Sequence, residues 1–249
     1  MSLRINKDNI HVILPKNHYI PDSKIDDAME GDFTLYAKVK IHPEILTDKE
    51  SFIISRNGMH SGISVFKDSL GSIIIQYTYW FENTTQGNSF VKQVQYQMTE
   101  HEVEHYIQVY MVNDMMRNKI ECYFNGRKIG LIDYDGLKKV SYENSPFWLG
   151  CGGMISDSDN QNIGDFDFDL AFCIKKKLYQ STINDVVNKY NTEYSKVLVD
   201  DLRCFHDYWY LANLFVFFCD FKTYNKYKIW NYVYNGNYPQ IYMKDNIYY

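Results

Sequence analysis

Residues Phe33-Thr-Leu-Tyr-Ala-Lys-Val39, opened by Gly31-Asp32, put Phe33, Leu35, Ala37 and Val39 on one side and Thr34, Tyr36 and Lys38 on the other. A period of two with one apolar side is the pattern of a strand with one buried and one wet face. Such a strand needs partners, and the sequence supplies them at short, regular intervals. Further candidates are Phe52–Arg56, Gly62–Lys67, Ser72–Phe81, Phe90–Met98, His105–Asn113, Lys119–Phe124, Arg127–Asp133, Ser145–Cys151 and Phe166–Ile174. Turn residues separate these runs, which is the spacing of an all-β sandwich. Asn125-Gly126 predicts a two-residue hairpin, because both central positions of a type I′ turn need positive φ.

The chain of 249 residues is long enough for one large sandwich, and 45% hydrophobic residues can fill its core. Aromatic residues reach 17%, led by 23 Tyr, which suits pleated, half-buried faces. A net charge of −5 without a basic stripe disfavours nucleic acid as a partner, since displacing condensed counterions takes clustered Lys and Arg. The longest apolar run, Leu211 to Cys219, is interrupted by Asn213 and is far shorter than the ~20 residues of a membrane span. Residues 1–7 lack the apolar core of a signal peptide. Cys122, Cys151, Cys173, Cys204 and Cys219 are widely spaced and odd in number, which favours reduced, buried thiols. Both observations point to a cytoplasmic setting. The alternative is a module excised from a longer secreted chain.

Several segments resemble laminin-G-like domains of the concanavalin A-like lectin/glucanase superfamily. Tyr19-Ile-Pro-Asp-Ser23 followed by Gly31-Asp-Phe-Thr-Leu-Tyr-Ala37 is similar to that family's opening strand. His105-Tyr-Ile-Gln-Val-Tyr110, Ile120-Glu-Cys-Tyr-Phe-Asn-Gly-Arg-Lys-Ile-Gly130, Phe147-Trp-Leu-Gly-Cys-Gly-Gly153 and Gly164–Phe172 resemble later strands, in the family's order. Two features depart from it: no tryptophan follows Ala37, and the last strand-to-helix stretch is short. The resemblance implies one domain over 1–249, a concanavalin A-like two-sheet jelly roll with one or two C-terminal helices.

The first helix is expected over 179–192, capped by Ser181 or Thr182, with Ile183, Val186, Val187 and Tyr190 as its apolar stripe. Residues 200–219 are expected to form either a second helix (His206–Phe217) or a helix running into a strand. The aromatic segment 200–249 is expected to pack back on the sandwich. Phe218–Tyr238 resembles a segment that begins domains of this family, which suggests a circular permutation placing strands of 215–249 beside residues 9–14. The rival arrangement is a tandem array cut short.

His101-Glu-Val-Glu-His105 is a literal H-E-x-x-H, a zinc-hydrolase signature that works only on a helix. With His105 opening a strand, the two imidazoles are expected roughly 13 Å apart. Glu121 is the one third ligand at a tolerable spacing. A metallohydrolase built on His101, Glu102 and His105 is therefore the outside alternative to a non-enzyme. The E-x-D-x-x-E triplet of glucanases is missing; Glu30-Gly-Asp32 is the nearest pair and lies in a turn. In the acidic loop 157–165, Asp157, Asp159 and Asp165 offer oxygen ligands of the type calcium takes, and the resemblance implies a structural calcium near such a loop.

Tyr77-Thr-Tyr-Trp-Phe81 places Tyr77, Tyr79 and Phe81 on one face and Trp80 on the other. Read as a sugar platform, Tyr79 and Trp80 stack on a pyranose and Asn83 supplies hydrogen bonds. Read as packing, the same residues are a core face and an edge. The function these observations and the resemblance imply is a non-catalytic, glycan-binding module accessory to surface-polysaccharide metabolism. The alternative is a protein-interaction or structural domain of a larger protein.

Overall fold

The computed structural model describes residues 3–5, 11–14, 29–56, 61–83, 86–140, 147–150, 164–193, 214–225, 228–231, 240–243 and 246–248. Among them, strands form two antiparallel sheets and helices are few. The protein is an all-β jelly-roll sandwich.

The first sheet runs β10 (Arg127–Asp133), β9 (Lys119–Phe124), β8 (Ile107–Asp114), β3 (Phe33–Ile41), β13 (Phe166–Ile174), β14 (Phe215–Asn225) and β15 (Lys228–Asn231), with β1 (Leu3–Ile5) also against β13. The second runs β11 (Lys138–Lys139), β6 (Ile73–Asn83), β5 (Ser61–Lys67), β4 (Ser51–Arg56), β12 (Phe147–Leu149), β2 (His11–Leu14), β16 (Gln240–Met243) and β17 (Asn246–Tyr248). On the other side of β6 lies β7 (Asn88–Gln97).

Strands from near both ends of the chain, β2 and β16, pair in the second sheet. β16 pairs with β2 through Gln240↔Ile13, Ile241↔Val12 and Tyr242↔His11. β14, in contrast, joins the first sheet beside β13, with Phe172↔Phe218 in register. Phe215–Phe217 are thus strand, which excludes a helix extending to Phe217 and agrees with the reading of a helix running into a strand; residues 206–213 lie outside the described residues.

Alternation explains the core. Phe33, Leu35, Ala37, Val39 and Ile41 of β3 face Ile63 and Val65 of β5 and Ile75, Tyr77, Tyr79 and Phe81 of β6 across the sandwich, all at most 1% exposed. In β13 the period slips. Phe166 and Phe168 point inward, and so do Ala171 and Cys173, because a bulge between Phe168 and Leu170 absorbs Asp169. Asp169 then accepts Lys38 Nζ at 2.6 Å on the outer side. The Asn125-Gly126 turn has φ of 47° and 78°, the positive pair its sequence demands.

The outer face of the first sheet carries a second apolar layer. Phe218, Phe172, Tyr36, Tyr110 and Tyr123 stand directly opposite one another on successive strands. Their rings stack with centroid separations of 5.7, 4.7, 5.8 and 4.7 Å. Helix α2 (Gln180–Glu193) covers this ladder through Ile183, Val186 and Val187, all buried. Ile183 N–H donates to Tyr179 O, so Ser181 and Thr182 lie inside the first turn rather than at the cap. No helix among the described residues is long and apolar enough to cross a membrane.

Candidate functional site

The outer face of the second sheet is exposed along β7. Strand alternation sends Ile74, Gln76, Thr78, Trp80 and Glu82 of β6 to this side, and pairs them with Gln97, Gln95, Gln93, Val91 and Ser89 of β7. The β7 residues are exposed. Burial deepens across the sheet, through Gln76 and Thr78 at 3% and 4% to Ser64 and Ser55 at 0%.

A polar relay crosses the strands here. Gln95 Nε2 donates to Gln76 Oε1 at 2.6 Å, Gln76 Nε2 donates to Glu50 Oε1 at 2.6 Å, and Ser64 Oγ donates to Glu50 Oε2 at 3.2 Å. Gln97 Nε2 donates to Ser72 Oγ at 3.2 Å. Next to this relay the Thr78 hydroxyl is buried with no hydrogen-bond partner. A hydroxyl held dry without a partner costs about 1–3 kcal/mol, so it is a latent donor and acceptor beside the amide row. Gly62, opposite Thr78, keeps the adjacent backbone close: a Cβ there would lie 2.1 Å from Ile54 O.

The structure separates the residues expected to hold a sugar. Tyr79 is a core residue, fully buried, with its hydroxyl donated to Met29 O at 2.8 Å; a ring packed between the sheets has no face to offer a ligand. Tyr77 and Phe81 share that fate. Trp80 is half-buried on the outer side, at the margin of the core, across from exposed Val91. Asn83 closes the β6–β7 turn, its carbonyl accepting Gln86 and Gly87 N–H at 3.2 and 2.8 Å. The glutamine row has a signature in the sequence, where Gln93, Gln95 and Gln97 recur with the strand period.

Of the three aspartates expected to ligate calcium, Asp157 and Asp159 lie outside the described residues. Asp165 is engaged by Arg4, whose Nε and Nη2 donate to its two oxygens at 2.9 and 2.8 Å. A carboxylate clamped on both oxygens by a guanidinium is a poor start for a calcium site. The described residues contain no group of three His, Cys, Asp or Glu able to hold a metal ion.

The H-E-x-x-H segment differs from its expected extended form. Glu100–Val103 form one helical turn, α1, and the imidazoles of His101 and His105 stack with centroids 4.5 Å apart. The cause is a capping box. Glu102 N–H donates to Thr99 Oγ1, while Thr99 N–H donates to Glu102 Oε2 at 2.8 Å. Thr99-Glu-His-Glu102 carries this signal in the sequence. Partial burial works against the Glu102 charge, but the bonds from Thr99 and the Tyr96 hydroxyl outweigh it and hold the carboxyl below its ordinary range. Glu102 is therefore committed to structure and is no general base. Glu121, the suggested third ligand, accepts Tyr123 O–H at 2.7 Å and Lys128 Nζ at 2.5 Å.

An open groove of about 520 Å³ lies between the end of β3 and α1, with Ile41, Ile73 and Val103 as apolar lining and Glu44, Glu100 and Glu104 as acidic lining. His42, also in the lining, pairs with Asp167 at 2.9 Å. No serine, threonine or cysteine lines the groove to serve as a nucleophile for that pair.

No protein-family model and no curated protein sequence matches the chain. Among solved structures, the binding domain of Paraclostridial Mosquitocidal Protein 1 matches with a TM-score of 0.50 at 17% identity, over 77% of this chain and 44% of that one. The botulinum neurotoxin serotype D binding domain matches with a TM-score of 0.48 at 16% identity, over 74% and 42%. A heptameric SAP-like pentraxin from Limulus polyphemus gives 0.41 at 11% identity, over 73% and 83%. The chain spans less than half the length of either toxin domain. At this identity the likeness to the mosquitocidal protein's domain is one of fold alone.

Proposed function

We propose that the chain is a non-catalytic carbohydrate-binding module that takes its ligand on the outer face of the second sheet, along β6 and β7. The observation that carries this reading is the uncharged amide row, Gln76, Gln93, Gln95 and Gln97, beside the unpartnered Thr78 hydroxyl and the half-buried Trp80. Sugar hydroxyls need donors and acceptors side by side, and a primary amide supplies both. The C–H face of a pyranose is apolar and packs on Trp80 and Val91. The row's own side chains are uncharged, and the Glu50 carboxylate behind it already accepts from Gln76 and Ser64, which keeps binding of a neutral saccharide inexpensive. In this role the module holds a surface polysaccharide for a catalytic partner.

The test is a saccharide array followed by calorimetry with the best ligand. Gln93→Ala/Gln95→Ala replaces exposed side chains, and urea denaturation checks that the fold withstands loss of the Gln95–Gln76 bond. The double variant is expected to lose about tenfold or more in affinity, since each lost hydrogen bond is worth roughly 1 kcal/mol. Absence of binding to any saccharide, or binding unchanged in the double variant, overturns the reading.

A further inference from the structure

His101 and His105 form a pair that the capping turn prepares for a metal. Both side chains are exposed, their ring planes are 19° apart and their centroids 4.5 Å apart. His105 Nδ1 lies 2.9 Å from the carbonyl oxygen of His101. A carbonyl only accepts, so Nδ1 carries the proton, and in the neutral ring the lone pair sits on Nε2. An imidazole that donates one N–H to a backbone carbonyl has the orientation and basicity of a metal-bound histidine. A tetrahedral zinc with Zn–N distances of about 2.0–2.1 Å holds two nitrogens about 3.4 Å apart. The rings stack with centroids 4.5 Å apart, so metal binding requires the exposed His101 side chain to turn out of the stack toward His105 Nε2, with the His105 Nδ1 bond kept.

The turn that presents them is fixed beforehand. Glu102 and Thr99 cap each other, the Tyr96 hydroxyl donates to Glu102 Oε1 at 2.9 Å, and Arg127 Nη2 donates to the Tyr96 oxygen at 2.8 Å. The segment is thereby tied to both β7 and β10, and little ordering remains for a ligand to bring about. Exposed Glu100 and Glu104 flank the pair and add negative potential.

The geometry points to a two-imidazole chelate for a divalent transition metal at His101 and His105, its other coordination positions open to water or an incoming group. The ligand type sets the class: imidazole suits zinc, nickel and copper, whereas calcium and magnesium take oxygen. The site is not a zinc hydrolase, because Glu102 is spent on the cap. It is independent of the sugar-binding reading and lies on a different segment.

Zinc chloride titrated into chelator-treated protein, followed by calorimetry, tests the chelate. The expected result is one saturable site, weakened about tenfold or more in His101→Ala and in His105→Ala. His42→Ala, which removes a histidine paired with Asp167 elsewhere, is expected to bind as the parent does. Circular dichroism of each variant verifies the fold, which exposed side chains leave intact. No saturable zinc binding, or binding that survives either alanine, overturns the proposal.

Discussion

Lys139 places an ammonium where the sandwich gives it little water. Its Nζ donates to Met29 O at 3.1 Å and Gly31 O at 3.2 Å, and it lies 5.9 and 5.6 Å from the ring centres of Phe33 and Tyr134. Burial lowers its pKa to about 8, against the pull of Asp32 and Glu30 in the other direction. In the unfolded chain the same amine titrates near 10.4, so the buried charge opposes folding by up to about 3 kcal/mol below pH 8. Replacing it by methionine keeps the stem and strands neither acceptor, since Met29 O retains the Tyr79 hydroxyl and Gly31 O retains Asn113 Nδ2. We expect Lys139→Met to be more stable than the parent at pH 7 by about 1–3 kcal/mol.

The pH profile isolates the cause. Between pH 8 and about 10.4 the unfolded parent binds one more proton at this site than the folded one, so Lys139 adds stability as pH rises. Burial raises the thiols of Cys122 and Cys173, and these titrate in the unfolded chain from about pH 8.5, pulling stability down over the same range. Tyr36 and Tyr77, also raised by burial, add to that fall above pH 10. Thiols and phenols are common to both proteins and cancel in the difference. Urea denaturation of parent and variant at pH 7, 8, 9 and 10 should show the advantage of Lys139→Met at its largest up to pH 8 and shrinking from there. A constant difference across that range, or a variant less stable at pH 7, refutes the reasoning.

Two glycines test the packing directly. Gly62, at φ +150°, would put a Cβ 2.1 Å from Ile54 O, so Gly62→Ala must push two central strands apart; a loss of about 3 kcal/mol or more is expected in denaturant titration. Gly130 is different. A Cβ there would meet Val94 Cγ1 at 2.4 Å, a side chain on the facing sheet edge, so Gly130→Ala should cost about 1–3 kcal/mol and Val94→Ala should restore part of it in a double-mutant cycle.

Where a strand's information is local, the residues disclose it. β3, β9, β10 and β13 run over the residues that their alternation marks, and Asn125-Gly126 turns as its chemistry requires. Alternation sorts Tyr79 from Trp80 but does not say which side is dry. The phenol of Tyr79 reads as a wet group until its partner, Met29 O, fifty positions away, is in view. Asp165 reads as a calcium ligand until Arg4, 161 positions away, takes both oxygens. The His101–His105 turn is encoded by Thr99 and Glu102, a helix signal only four residues long set directly before a strand pattern.

The stacked column of Phe218, Phe172, Tyr36, Tyr110 and Tyr123 has a consequence for how the first sheet finds its alignment. A one-residue slip between strands exchanges wet and dry faces and is rejected outright. A two-residue slip keeps the faces and is the error that Val- and Ile-rich strands invite. Here such a slip sets Tyr110 opposite Thr34 or Lys38 in place of Tyr36, and breaks the column at that strand. Five rings come into line in one alignment, so the column acts as a vernier: it penalises the misregistered sheets that hydrophobicity alone would accept.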